Sequence, residues 1–142
     1  MILEEAITRY GKIENGVWAN EEKWMTNLTL TPPMWPIQKH IYCNKDILVP
    51  LASSFVKLGL LGLADQFKTF DGCFNIRDVR GMPGQLSAHA YGLAVDLNAS
   101  TNQLGTDGDM TPEFVKCFTD EGFTWGGTFK RKDPMHMSRA WE

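Results

Sequence analysis

The sequence predicts an α+β fold, a small antiparallel sheet with flanking helices. Two observations carry this expectation. Helical and strand-like patterns do not alternate regularly along the chain, as a parallel βαβ arrangement would require. The strand candidates are also short and are separated by Gly- and Pro-containing turns.

Taken in order, residues 1–36 form a leading segment with three of the five tryptophans, Trp18, Trp24 and Trp35. It ends in the run Thr31–Pro36, where three prolines remove amide donors and restrict the residues before them. An extended N-terminal arm packed on the core through its aromatic side chains is expected. From Pro50 the spacing Leu51, Phe55, Leu58 follows one face of a helix, with proline in the first turn and Gly59 and Gly62 beyond the end. Phe67–Phe70 and Cys73–Arg77 have strand character on either side of Asp71-Gly72, which reads equally as a hairpin turn or a bulge. Gly81–Gly84 is a loop and Leu93–Leu97 a short apolar strand. Thr111-Pro112-Glu113 supplies an N-cap, a first-turn proline and an acid for a helix that stops at Gly122. Phe123–Trp125 and Pro134–Met137 are final short strands around Gly126-Gly127.

At 142 residues the chain is expected to form a single domain, 1–142. With 14 Lys+Arg and 17 Asp+Glu the net charge is −3, which argues against nucleic acid as a partner. Glu4, Glu5 and Arg9 interrupt any apolar stretch of a secretory signal, so cytoplasmic synthesis is expected. The apolar stretch Ile47–Ala64 carries Pro50, Ser53, Ser54 and Lys57 and reads as a buried helix, with no membrane insertion. Cys43, Cys73 and Cys117 are isolated and form no Cys-x-x-Cys pair, so reduced, buried thiols are expected. A monomer is expected.

The chemistry concentrates around two of the three histidines. His89 stands seven residues before Asp96, with Gly92 and a short strand between them that can turn both side chains toward one point. Asp133 stands three residues before His136. Two imidazoles and a carboxylate suit Zn²⁺, and three protein ligands leave a fourth position open. Asp133 can then act on the proton of an attacking water. Spacing alone leaves open that these are hydrogen-bonded structural histidines. His40 has no partner motif and reads as structural.

The residues narrow that choice. Ser87-Ala-His89-Ala-Tyr-Gly92-Leu-Ala94-Val-Asp96 resembles the SxHxxGxAxD motif of a zinc peptidase family. That family includes D-alanyl-D-alanine carboxypeptidases and phage L-alanyl-D-glutamate endolysin peptidases. Asp133-Pro-Met-His136 is similar to its closing DxxH or ExxH element. Phe74–Gly81 resembles the strand and arginine before the first motif, and Phe123–Gly127 the segment leading into the second. The resemblance spans about residues 37–137 and implies a fold like that of the hedgehog domain and D-Ala-D-Ala peptidases. It implies His89, Asp96 and His136 as zinc ligands, Asp133 as general base and an arginine at the developing oxyanion. Arg77 and Arg80 compete for the last role; Arg77 is favoured because it ends a predicted strand, leaving Arg80 to contact substrate and Ser87 to bond the substrate or brace the loop. The run Lys130-Arg131-Lys132 is a solvated loop or a site that greets an anionic wall polymer or a substrate carboxylate.

The implied activity is hydrolysis of a peptide bond in the stem peptide of bacterial peptidoglycan. Endopeptidase and D,D-carboxypeptidase members share these motifs, so the bond stays open. The protein would act on the cell wall after release, as a phage lysis enzyme does, or as a phage particle component. The alternative is a non-catalytic zinc- or peptidoglycan-binding domain on the same scaffold, for which an acid at position 133 has no use.

Overall fold

The computed structural model describes residues 1–141. Helix α1 (Leu3–Tyr10) opens the chain, with Glu4 and Glu5 in its first turn and Arg9 in its last, as the helix dipole favours. Ala6 and Tyr10, four residues apart, turn inward. A hairpin of β1 (Ile13–Glu14) and β2 (Val17–Trp18) follows, closed by Asn15-Gly16, both at positive φ. After α2 (Glu21–Trp24), strand β3 (Met25–Thr29) pairs antiparallel with β4 (His40–Asn44). The first 36 residues are therefore not the extended arm expected. The one-sided burial of Ala6 and Tyr10 makes the start helical, and the prolines confine irregular chain to the connection between β3 and β4.

Helix α3 (Lys45–Leu60) begins five residues before Pro50, capped by the Asn44 side chain, which accepts the Asp46 N–H at 2.9 Å. Its buried face starts at Ile47 and runs on through Leu51, Phe55 and Leu58. Burial along that whole face carries the helix across the amide donor lost at Pro50.

The sheet that matters for chemistry has four short antiparallel strands in the order β5-β6-β8-β7: β5 (Phe70–Gly72), β6 (Ala94–Leu97), β7 (Thr124–Trp125) and β8 (His136–Ser138). The architecture is mixed α+β with small antiparallel sheets. Asp71-Gly72 is a bulge: the register slips between Phe70 and Gly72, and Gly72 has φ +130°. Cys73–Arg77 lies outside any strand. Helix α4 (Pro112–Thr119) is capped by the Thr111 hydroxyl, which accepts the Phe114 N–H at 3.2 Å.

All four residues of β6 are buried, and the core spreads from it in both directions. One side is an aromatic cluster in which Tyr91 meets Trp18 at 5.1 Å and Tyr10 at 5.6 Å between ring centroids. The indole of Trp18 donates to the Tyr10 carbonyl at 2.8 Å, and the Tyr91 hydroxyl donates to the Gly11 carbonyl at 2.6 Å. The three cysteines are free and buried. Burial pushes the Cys43 thiol up to about 11 and Cys73 well above its ordinary range, so neither is a ready thiolate. Among the described residues no helix is long and apolar enough to cross a membrane.

Trp18→Ala should lower the unfolding free energy by about 3–5 kcal/mol, the usual cost of deleting a buried tryptophan. Chemical denaturation measures it. A loss under about 1 kcal/mol would mean that the hairpin contributes little to the core.

Candidate metal centre

Strand register builds half of the site. Asp96 on β6 and His136 on β8 are directly opposed in the antiparallel ladder, so residues forty apart in sequence become neighbours. The Asp96 carboxylate oxygen Oδ1 lies 3.3 Å from His136 Nδ1.

The other imidazole arrives on a one-turn 3-10 helix, Ala88–Tyr91. Ser87 caps it, its buried hydroxyl accepting the His89 N–H at 3.2 Å. The turn ends at Gly92, in the left-handed region at φ +66°. A Cβ there would come within 2.7 Å of the Met25 sulfur and 3.0 Å of the Asn44 amide nitrogen, so only glycine fits. Upstream, residues 75–79 run back along 85–89, with Asn75 N–H donating to the His89 carbonyl and Ser87 N–H to the Arg77 carbonyl, both at 3.0 Å.

The hydrogen bonding of His89 determines which nitrogen faces the site. Its Nδ1 lies 2.7 Å from the Cys73 carbonyl oxygen, which can only accept, so Nδ1 carries the proton. In the neutral ring Nε2 is then a bare acceptor. It is buried and without a hydrogen-bond partner, although Asp96 Oδ2 lies 3.2 Å away. That separation is within ion-pair reach, but the ring is not aligned for a hydrogen bond. Two acceptors facing each other in a buried site call for a cation between them.

Zinc fits this arrangement. One ligand atom from each of His89, Asp96 and His136 falls within 4.8 Å of the others. Tetrahedral ligation with bonds of roughly 2.0–2.1 Å sets ligand atoms about 3.3 Å apart. The imidazole nitrogens lie at a similar range from the carboxylate, though each from a different oxygen: His89 Nε2 is 3.2 Å from Asp96 Oδ2 and His136 Nδ1 is 3.3 Å from Oδ1. The Cys73 carbonyl is the outer partner that fixes tautomer and ring orientation, as ligating histidines usually require. Burial works against ionisation of Asp96, but its surroundings, the hydrogen bond with His136 foremost, outweigh that and hold the carboxyl below its ordinary range.

The three side chains form the floor of a small pocket, with Asp133 beside them. Asp133 is half-buried and precedes β8, its N–H donating to the Gly126 carbonyl at 2.9 Å and its carbonyl accepting the His136 N–H at 3.0 Å. Arg77 and Arg80 both line the pocket, so the geometry keeps both. The strand that favoured Arg77 does not exist, because the chain around it is irregular. Ser87 is not among the lining residues, and its place is that of a brace for His89. His40 is exposed on β4, near the Thr29 hydroxyl at 3.3 Å.

The sequence left the basic run's role open and singled out none of the apolar wall residues. Arg131 also lines the pocket, its guanidinium donating to the Arg80 carbonyl, so the basic run is not simply a solvated loop. Leu104, Val79 and Met135 give the walls apolar surface. Leu104 sits on a loop tied to the Asp133 segment through Gly105 N–H to the Lys132 carbonyl, 2.6 Å, and through a Lys132–Asp107 ion pair. Apolar loop residues of this kind carry no recognisable spacing.

Comparison with known proteins adds a family. Residues 80–139 match the family model of D-alanyl-D-alanine carboxypeptidase. The matched stretch contains His89, Asp96, Asp133 and His136, and it supports a peptidase of that family. No curated protein matches the chain.

Equilibrium dialysis should find one zinc per chain, lost on His136→Ala. Ligation needs neutral imidazoles, so affinity should fall as the pH drops from about 7.5 to 5.5, through the ordinary imidazole range. Asp96, held low, stays ionised throughout that interval and does not contribute to the decline. Undiminished zinc affinity at pH 5 would contradict imidazole ligation.

Proposed function

We propose that the chain is a zinc-dependent peptidase that hydrolyses a peptide bond in the stem peptide of bacterial peptidoglycan. The observation that carries this reading is the partnerless, buried His89 Nε2 facing Asp96 and His136, with Asp133 lining the same pocket. The matched peptidase family gives the reaction class.

His89, Asp96 and His136 would hold the ion. Zinc bound there supplies Lewis-acid activation of a carbonyl and of water at neutral pH. Asp133 takes the proton of the attacking water and returns it to the leaving amine, so neither a hydroxide nor an amide anion has to form free. Arg77 donates hydrogen bonds to the carbonyl oxygen as negative charge develops on it. Arg80 holds the peptide at the rim, and Ser87 and the Cys73 carbonyl keep the His89 ring in orientation. A pocket floor of buried ligands with an exposed cationic rim suits a small extended peptide entering from one side. A phage endolysin-type endopeptidase and a D,D-carboxypeptidase both fit, as does a monomer reaching the wall after release or aboard a phage particle.

Mass spectrometry of peptidoglycan digested by the protein distinguishes the bonds. Endopeptidase action exposes a new amino terminus within the stem, and carboxypeptidase action removes its terminal residue. Asp133→Ala should keep its zinc and lose roughly 10²–10⁴-fold in rate. Cleavage at the wild-type rate would remove Asp133 from the mechanism, and intact stem peptides with zinc-loaded wild type would leave a binding domain. Arg77→Ala should lower kcat by roughly 10²–10³, and Arg80→Ala much less. The reverse order would transfer the oxyanion role to Arg80.

A further inference from the structure

Gly126 opens the 3-10 turn after β7 and is buried. Its carbonyl closes the following loop by accepting the N–H groups of Phe129 at 3.1 Å and Asp133 at 2.9 Å. A Cβ at Gly126 would overlap the carbonyl oxygen of Asp133 and stand 3.1 Å from both the Asp133 carbonyl carbon and the His136 Cβ. The closest obstacle is backbone and cannot rotate aside.

That carbonyl is also the acceptor for the His136 N–H. Displacing it moves Asp133 and His136 together relative to His89 and Asp96, which sit on other elements. From the other side, the Trp125 indole donates to the Pro134 carbonyl at 2.7 Å and draws the same turn inward. Gly126 is not in the left-handed region, so alanine meets no backbone strain there and the contact is the whole effect.

We infer that Gly126, assisted by Trp125, is a positioning residue of the metal centre: the missing side chain lets the Asp133–His136 turn seat deeply enough for His136 to join His89 and Asp96. The inference rests on the metal-centre reading and concerns affinity for the ion, separately from peptide cleavage.

Cobalt(II), whose visible absorption reports coordination, can be titrated into metal-free wild type, Gly126→Ala and Leu51→Ala. Leu51 is fully buried in α3 and is not among the residues lining the pocket, so its truncation controls for general loosening. Gly126→Ala should bind roughly 10–100-fold more weakly, the usual cost of disturbing support around a ligand, with an altered spectrum. Leu51→Ala should keep the wild-type spectrum. Wild-type affinity and spectrum in Gly126→Ala would overturn the inference, as would an equal spectral change in Leu51→Ala. If Gly126→Ala does not fold, Trp125→Phe decides: weakened cobalt binding supports the inference and unchanged binding overturns it. Wild type that binds cobalt as described but leaves stem peptides intact would contradict the proposed peptidase activity alone.

Discussion

A buried carboxylate that remains ionised needs partners for its charge, and Asp96 has His136 hydrogen-bonded at one oxygen and a bare nitrogen of His89 facing the other. One imidazole is set by the sheet: antiparallel pairing of β6 with β8 fixes His136 opposite Asp96, and a slip of one residue would turn it to the other face. The other is set by a chain of local constraints on His89, namely the Ser87 cap, the Gly92 turn and the Cys73 carbonyl. Orienting Nδ1 outward leaves Nε2 with nothing but a carboxylate oxygen to face. The arrangement is poor as a hydrogen-bond network and well suited to a cation.

The stretch that matches the peptidase family is not a self-sufficient physical unit. Tyr91, two residues from His89, packs on Tyr10 and Trp18 and donates to the Gly11 carbonyl. The Asn44 side chain donates to the Tyr91 carbonyl, and the Asn44 N–H to the Gly92 carbonyl, both at 3.0 Å. Residues outside the matched stretch thus buttress the turn that presents His89. Two further buttresses, the Trp125 indole and the 98–110 loop, hold the Asp133–His136 turn from inside the match.

Legibility in the sequence followed the range of the interactions. The cap at Thr111, the short β6 strand and the spacings around His89 and His136 are local signals, and the four chemically distinctive side chains do meet in one pocket. The helical start of the chain was lost behind its breakers, since a helix of eight residues gains its stability from packing that Ala6 and Tyr10 find only in the fold. Pro50 suggested a helix start, yet burial from Ile47 onward outweighed one missing donor. The run around Arg77 looked like a strand because its apolar residues pack on the core, but its backbone pairs with residues 85–89 only through scattered hydrogen bonds and one isolated bridge, Asp78 to Leu86. The Cys73 carbonyl was invisible for a different reason: every residue has a carbonyl, and only the fold shows which one meets an imidazole. Gly126 was read as a turn glycine, whereas its role comes from a carbonyl seven residues away.

The central claim is that two imidazoles and one carboxylate hold zinc with a position left open. X-ray absorption at the zinc edge of the loaded protein tests it most directly. The account predicts a first shell of nitrogen and oxygen only, at about 2.0–2.2 Å, with the multiple-scattering signature of two imidazoles. Sulfur at about 2.3 Å, or a shell with a single imidazole, would contradict it.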